Sequence, residues 1–242
     1  MTTLIDPNIL YLDLAFPYGP DERPYVVINM IATADGKATV AGRSSTIGSP
    51  LDRLMMRRIR AAADGILTGA GTLRAENIDP TLPPNLQQRR IAQGRSPNPI
   101  AAILSGSGEL PLERRFFSLA GFQRVVFVSA AAPSARIEAL KAHAQVFLLD
   151  PGRPALRQVM RTFRTELGVG SLLVEGGPRL NAELIHLGYV DELFLTIAPK
   201  IVGGSGKTIT EGTPLRDDQI RRLELVSVAT QGSELFLRYR FV

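Results

Sequence analysis

The sequence predicts an α/β protein with a mostly parallel central sheet and an antiparallel hairpin at the C-terminal end. Three observations lead to this class. Short apolar runs alternate with helical spacing along most of the 242 residues, as strands and helices do in βαβ units. Several runs are apolar almost throughout, which is typical of strands covered on both faces. The last two runs flank Gln231-Gly232-Ser233, a sequence that predicts a hairpin turn.

The elements follow one another without a strong linker. Residues 1–23 are rich in proline and predict an irregular arm, followed by one domain over 24–242. Ser49 is placed to cap a helix that has Pro50 in its first turn. The loop over 77–99 is long and proline-rich, with a helical piece at 86–93, and such loops are often functional. The predicted strands are 25–31, 66–72, 99–104, 124–129, 146–149, 172–175, 192–197, 223–229 and 235–241, and the other helices are 133–142, 155–167 and 179–187.

Composition excludes several classes. Apolar residues make up 45% and charged residues 21%, which predicts a folded core. Cysteine is absent, so disulfide and thiol chemistry are excluded, and two distant histidines do not make a metal site. No apolar run is long enough to span a membrane and no secretory signal pattern opens the chain, so we expect a cytoplasmic location without a membrane partner.

The net charge of +5 indicates an anionic partner. The basic residues are not collected in one tail, and with 6% aromatic residues no stacking platform is visible. An anionic small molecule therefore explains the charge better than a nucleic acid, which stays as an alternative of a different class.

The most informative motif is the turn after the apolar run 172–174. Glu175 ends that run, Gly176 and Gly177 permit a tight turn, and Pro178 suits the first turn of a helix. A helix opened in this way presents free backbone N–H groups and the positive end of its dipole to a phosphate or pyrophosphate. Because a carboxylate would repel such an anion, we expect Glu175 to bind a donor-rich ring. A plain strand–turn–helix with a surface glutamate is the alternative.

Five motifs in a fixed order resemble the reductase domain of riboflavin biosynthesis over residues 24 to 242. They are Asn29-Met30-x4-Asp35-Gly36-Lys37, Arg60-x3-Asp64-Gly65-Ile66-Leu67-x-Gly69-x-Gly71-Thr72, Glu175-Gly176-Gly177-Pro178, Val190-Asp191-Glu192-Leu193 and Ile197-Ala198-Pro199-Lys200-x2-Gly203-Gly204. The resemblance implies a three-layer, dihydrofolate-reductase-like fold. The family's fused zinc deaminase needs His and Cys ligands, so this chain, which has no cysteine, resembles a stand-alone reductase.

The resemblance also implies an activity. Such enzymes use NADPH to reduce the ribosyl group of a 5-amino-6-(5-phosphoribosylamino)uracil-type pyrimidine phosphate to ribityl, with hydride going to the C1′ imine. The cofactor carries the chemistry, so the protein binds, orients and shields, and no metal or protein nucleophile is required. A homodimer is expected on the same ground.

Site residues carried over from the resemblance fall into three groups. Asp35 and Glu175 are assigned to catalysis, with water as the alternative proton donor. Cofactor contact is the favoured role of Thr72, with a helix cap as the alternative; Asp35 could serve only a turn, and Arg60 could complement the helix dipole. The cofactor contacts are Thr46, Thr72, Glu76, Ser105, Gly176, Gly177, Pro178, Arg179 and Leu180, and the substrate contacts are Asn29, Ser44, Arg60 and Glu175.

The sequence departs from the family pattern near the expected substrate. Glu76 and Leu104 each stand where the family usually has Asp, and the loop after Glu76 has two extra residues and no arginine directly after it. Either a loop arginine replaces the family's phosphate-binding arginine, or the protein acts on a different carbonyl, imine or pterin-like substrate. The loop candidates are Arg89, Arg90 and Arg95, and the candidates for a cofactor 2′-phosphate are Lys37, Arg43 and Arg53.

Overall fold

The structure is a computed structural model that describes residues 9–44, 46–151 and 155–242. Nine strands and seven α-helices occur in this part of the chain. The strands are β1 (Tyr25–Thr33), β2 (Gly65–Gly69), β3 (Ile100–Ser105), β4 (Arg124–Ser129), β5 (Gln145–Leu149), β6 (Ser171–Val174), β7 (Glu192–Ala198), β8 (Leu223–Gln231) and β9 (Glu234–Phe241). The helices are α1 (Pro50–Ala62), α2 (Ala70–Ala75), α3 (Pro84–Ala92), α4 (Arg115–Ser118), α5 (Ser134–Lys141), α6 (Ala155–Thr165) and α7 (Pro178–His186).

The strands form one sheet in the order β5-β4-β3-β2-β6-β1-β7-β9-β8. The pairs β2–β3, β3–β4, β4–β5 and β1–β7 are parallel, whereas β9 runs antiparallel to both β7 and β8. The predicted class, an α/β protein with a mostly parallel sheet and a C-terminal antiparallel hairpin, is confirmed. Parallel strands end at the same edge of a sheet, so loops that follow neighbouring strands meet there.

The first of two compact units contains residues up to 15, 26–59 and 174–242. In its sheet β1 lies beside β7 with Thr33 opposite Ala198, and the hairpin of β8 and β9 continues from β7. Side chains of the arm, α1 and the hairpin share a small core, to which the described arm contributes one buried residue, Leu10. That core consists of Leu10, Met55, Ala229 and Phe236. Residues 1–8 of the predicted arm lie outside the described residues.

The second unit contains residues 16–25 and 60–173. Its parallel strands β2, β3 and β4 are buried along most of their length, as the continuous apolar runs predict, whereas β5 at the edge is largely exposed or half-buried. Asp64 joins the starts of two strands, because its Oδ2 accepts hydrogen bonds from the backbone N–H groups of Gly170 and Ser171 at 3.1 and 2.9 Å. This carboxylate from the second family motif therefore has a structural role.

Helix α1 begins as predicted. Ser49 Oγ accepts hydrogen bonds from the backbone N–H groups of Leu51 and Asp52 at 3.1 and 3.0 Å, the geometry of a helix N-cap. Two elements differ from the prediction. Residues 70–72 belong to helix α2 rather than to the end of a strand, and the short helix α4 was not predicted. No helix in the described residues is long and apolar enough to cross a bilayer. A single domain over 24–242 stays a prediction.

Candidate active site

The glycine turn has the geometry that the motif predicts. Strand β6 ends at Val174, Glu175 is half-buried, and α7 begins at Pro178 with Gly177 as its N-cap. Gly177 has no side chain to cap this helix start, and backbone N–H groups at such a start are suited to bind an anion. Gly176 adopts a φ of 85°, which favours glycine, and the peptide between Gly176 and Gly177 is cis. An anion bound here would meet backbone donors rather than a side chain.

A second segment of the first unit packs against the start of α7. The backbone N–H of Glu211 donates to the carbonyl of Pro178 at 3.1 Å, and Asn181 Nδ2 donates to the carbonyl of Ile209 at 2.9 Å. Asn181 is fully buried and its Oδ1 has no hydrogen-bond partner among the described residues. The sequence analysis missed Asn181, because a single asparagine in a helical pattern carries no signal of burial.

Asp35 lies in a turn at the end of β1, where its carboxylate accepts several hydrogen bonds. Thr33 Oγ1 donates to Oδ1 at 2.5 Å, and the backbone N–H groups of Val202 and Gly203 donate to the carboxylate at 3.2 and 2.7 Å. The Thr33 hydroxyl, followed by the Gly203 N–H, lowers the pKa of Asp35 to about 2. A carboxylate of this kind organises two loops and is a poor proton donor near neutral pH.

The other predicted residues of the first unit are distributed over β1 and the loop before α1. Asn29 is half-buried on β1, and its neighbour Met30 lies against the turn, with its Sδ 3.6 Å from where a Cβ on Gly176 would be. Ser44 is half-buried, Thr46 is exposed, and both precede Ser49. Arg179 is exposed and the Leu180 side chain is buried, so Leu180 offers a ligand only its backbone.

In the second unit, Arg60 contacts the loop that departs from the family. Its buried guanidinium donates from Nη1 to the carbonyl of Asp79 at 2.7 Å. Asp79 also accepts from Thr81 through Oδ1 and forms an ion pair with Arg115 at 2.8 Å. Arg60 therefore fixes the altered loop. Neither Asp79 nor Arg115 was singled out from sequence, since their partners are distant along the chain.

Thr72 and Glu76 follow the carboxyl end of β2, and Ser105 is the last residue of the neighbouring strand β3. Thr72 lies in the first turn of α2 and Glu76 is its C-cap residue, whose N–H donates to the Thr72 carbonyl at 2.7 Å. Ser105 is buried, and its Oγ accepts the N–H of Gly108 at 3.1 Å, which closes the turn after β3. Thr72 and Glu76 are half-buried, so their side chains are partly accessible to a ligand.

Two of the loop arginines proposed to bind a substrate phosphate have other partners. Arg90 is buried and donates from Nη1 to the carbonyls of Ala61 and Ala63 at 2.8 and 2.7 Å. Arg95 donates to the carbonyl of Ala62 at 3.0 Å and forms an ion pair with Asp64 at 2.8 Å. Both guanidinium groups therefore satisfy the last carbonyls of α1, a role that basic side chains commonly have at helix C-termini.

Titratable groups do not gather as metal ligands in the described ranges, where no three His, Asp or Glu side chains come together. The described site instead offers backbone N–H donors, a half-buried glutamate and hydroxyl groups. This donor set fits an organic anion with a polar ring.

The fold and the glycine turn define the class of the protein: it is an α/β protein that presents an open helix start at the carboxyl edge of a parallel sheet. The chain belongs to the RibD C-terminal domain family, whose family model matches residues 24–237.

Known relatives match nearly the whole chain. The 2,5-diamino-6-ribosylamino-4(3H)-pyrimidinone 5′-phosphate reductase of Methanothermobacter thermautotrophicus is 31% identical over 220 residues, covering 90% of this chain and 98% of the relative. The reductase of the same name from Archaeoglobus fulgidus is 31% identical over 210 residues, covering 84% and 94%. A solved pyrimidine reductase-like protein of Corynebacterium diphtheriae shares the fold with a TM-score of 0.79 at 24% identity, over 90% of this chain and 92% of that one.

Proposed function

We propose that this chain is an NADPH-dependent reductase that converts the ribosyl group of a 5-amino-6-(5-phosphoribosylamino)uracil-type pyrimidine phosphate to ribityl in riboflavin biosynthesis. The observation that carries the proposal is the match to reductases of that pathway over 98% and 94% of their lengths. The family makes the chain an oxidoreductase and implies a nicotinamide cofactor. NADPH and the precise pyrimidine are the finer parts of the proposal.

The residues of the first unit suit a dinucleotide. The N–H groups at the start of α7 would hold its diphosphate, with Gly176 and Gly177 leaving room for close approach of the backbone. Thr46 is exposed on the loop before α1 and is proposed as a further contact. Arg43 and Arg53 are exposed and, together with Lys37, are proposed to select the 2′-phosphate of NADPH. Thr72, Glu76 and Ser105 of the second unit stay as proposed cofactor contacts.

A bound reduced nicotinamide supplies hydride to C1′ of the substrate, and the protein positions the acceptor. Glu175 is proposed to accept hydrogen bonds from the ring N–H and amino group of the pyrimidine. Asn29, Ser44 and Arg60 are the other proposed substrate contacts. Because the pKa of Asp35 is lowered to about 2, we assign the proton that completes the reduction to water and keep Asp35 as an organiser of the site.

One observation favours a second candidate function. Arg90 and Arg95 are engaged by α1, so they do not replace the family's phosphate-binding arginine. A protein of this family without that contact could act on another carbonyl, imine or pterin-like substrate. Near the altered loop, Arg115 is about half-exposed and pairs with Asp79 at 2.8 Å, so it too has a partner within the protein.

A substrate comparison tests the proposal. Purified protein is given NADPH or NADH with the pyrimidine phosphate in its deaminated and undeaminated forms, with dihydrofolate, and with simple carbonyl compounds. We expect oxidation of NADPH with at least one pyrimidine phosphate and little with the others. Turnover of dihydrofolate or a simple carbonyl without turnover of either pyrimidine supports the second function and overturns the first.

The homodimer stays a proposal, and the edge strand of the sheet supports it. Strand β8 exposes apolar side chains, with Leu223, Leu225 and Val226 at 42%, 49% and 38% exposure. A contiguous apolar edge of this kind is typical of a protein interface. Sedimentation equilibrium should give twice the chain mass, and Leu225→Lys should yield the monomer. A wild-type monomer at micromolar concentration contradicts the proposal.

We propose no nucleic-acid or membrane partner, and we propose a cytoplasmic location.

A further inference from the structure

The loop that precedes α1 lies at the carboxyl edge of the sheet in the first unit. Strands β1 and β7 are parallel there, with Thr33 opposite Ala198, so the residues that follow both strands leave at the same edge. The backbone N–H of Ala34 donates to the carbonyl of Lys200 at 2.9 Å, and that of Ala38 donates to the carbonyl of Lys207 at 2.7 Å. The loop after β7 therefore holds the loop after β1 in place through these backbone hydrogen bonds.

Among the described residues, Lys200 makes the side-chain connection between the loop after β7 and the end of the loop after β1. Its Nζ donates to the carbonyls of Thr46 and Ile47 at 3.0 and 2.8 Å. An ammonium group has three donors and no acceptor, so two carbonyls from one turn of backbone suit it well. The side chain of Ile47 is fully buried, which fixes the other side of the same peptide. Asp35 connects the two loops at their opposite end, through Val202 and Gly203.

The loop itself has little regular structure to hold it in place. Among its described residues, 34–44 and 46–48, the only ladder contact is an isolated bridge between Val40 and Arg43. Backbone hydrogen bonds from Ala34 and Ala38 to the loop after β7 hold its first part, and Lys200 holds its end at residues 46 and 47. Ser44 and Thr46, the proposed substrate and cofactor contacts, lie next to the carbonyls that Lys200 holds.

We infer that Lys200 is a positioning residue that holds the 46–47 peptide so that Thr46 and Ser44 meet the cofactor and substrate. This inference rests on the proposed function for its kinetic consequence, but the contact is local to the first unit. Removal of the ammonium leaves two carbonyls without their donor, and the segment before α1 then samples other conformations. We expect this loss to weaken ligand binding rather than slow hydride transfer, because Lys200 contacts the backbone of residues 46 and 47 and not the groups proposed to act at C1′.

The test compares Lys200→Met with Lys207→Met. Both substitutions remove one positive charge from the same loop, and the described hydrogen bond of Lys207 with the loop after β1 is made by its backbone carbonyl. For Lys200→Met we expect the KM for NADPH to rise about tenfold while kcat changes less than about threefold, because binding rather than chemistry is affected. Lys207→Met should resemble the wild type. The effect should persist at high salt, where long-range attraction between charges is screened.

Two further measurements separate this inference from the proposed function. Calorimetry with NADPH should show the same tenfold loss of affinity in Lys200→Met, and amide hydrogen exchange should be faster at residues 46–48. If the wild type turns over no pyrimidine phosphate, the proposed function fails, and the exchange and calorimetry data still decide the role of Lys200. Equal NADPH affinity and equal exchange at 46–48 in the wild type and both variants would overturn the inference.

Discussion

Arg238 on β9 holds the carboxylate of Glu192 on β7 with two guanidinium hydrogen bonds, from Nε at 2.7 Å and from Nη2 at 2.9 Å. Glu192 is almost completely buried, and the guanidinium also lies 5.3 Å from the ring centre of Phe194. Two-pronged pairing of this kind satisfies both carboxylate oxygens inside the sheet. Glu192 therefore holds the C-terminal hairpin to β7. Its neighbour Asp191 holds β1, because its carboxylate accepts a hydrogen bond from the backbone N–H of Val26 at 2.7 Å.

Breaking this pair from one side should strongly destabilise the protein. Glu192→Gln leaves the Arg238 guanidinium without its charge partner in a largely buried position, and such losses cost about 3–5 kcal/mol. Denaturant unfolding measures the change. Arg240→Met is the matched control, because its ion pair with Glu224 is exposed at 3.8 Å and should contribute at most about 0.5 kcal/mol. A similar effect for both variants would contradict a structural role for the buried pair.

Asp52 should make stability depend on pH. Burial, reinforced by the nearby carboxylate of Glu234, raises the pKa of Asp52 from 3.8 to about 6, although a Thr196 hydrogen bond opposes this. The folded state thus holds the proton more tightly than the unfolded state. The resulting stabilisation is complete below pH 3.8 and is lost as pH rises through about 6.

The variant Asp52→Asn tests this dependence, because asparagine stays neutral at every pH. Relative to wild type, its free energy of unfolding should rise by about 2–3 kcal/mol between pH 4 and pH 7.5, since one pKa unit corresponds to about 1.4 kcal/mol. Loss of the helix-terminal carboxylate shifts the whole curve but not its slope. Parallel stability curves for Asp52→Asn and wild type over that interval would show that the Asp52 pKa is ordinary.

Glu175 should act on the substrate and not on the cofactor. Glu175→Gln keeps the size of the side chain but replaces a charged acceptor by a neutral amide. A hydrogen bond to a charged group contributes about 1.5–3 kcal/mol, so kcat/KM for the pyrimidine should fall roughly 10- to 150-fold. The dissociation constant for NADPH should change less than about threefold. Glu183→Gln, exposed on α7, is the control and should leave both constants unchanged. A parallel loss of NADPH affinity in Glu175→Gln would contradict the assignment.

Gly176 should be needed for its backbone conformation. At a φ of 85° an alanine is strained, at a cost of about 1–2 kcal/mol, although its Cβ would meet nothing closer than 3.6 Å. Gly176→Ala should therefore weaken NADPH binding about 5- to 30-fold as the start of α7 moves. Gly232→Ala, at a φ of 57° in the hairpin turn, should destabilise the fold by a similar amount without changing affinity. Equal NADPH affinity in the two variants would show that the cofactor diphosphate does not bind at this turn.

The fold class was predictable because its signals are local. Apolar runs bounded by turn residues mark the buried strands, and the pair Gly176-Gly177 before Pro178 marks the turn into α7. The prediction of a strand over Ile66 to Thr72 was wrong at its end, and the reason is informative. A short apolar segment fits either a strand or a buried helix, and the structure divides it between β2 and α2. Thr72 therefore presents its side chain from a helix.

The roles of individual charged residues were less predictable, since their partners are distant in sequence. Asp191 binds the N–H of Val26, 165 residues away, and Asp64 binds that of Gly170, 106 residues away. Arg90 and Arg95 satisfy the end of α1, although the loop's composition indicated an anion site equally well. Sequence spacing also does not show that Asp35 accepts hydrogen bonds from two loops, and its assignment to catalysis stays a prediction.

The fate of the hydride tests the central claim most directly. The protein is incubated with the ribosylamino-pyrimidine phosphate and NADPH that carries deuterium at the transferable position, and the product is analysed by mass spectrometry and NMR. We predict one deuterium at C1′ of a ribityl chain, with one NADPH consumed for each product. Deuterium elsewhere, or NADPH that neither binds nor reacts while the folded protein is intact, would contradict the account.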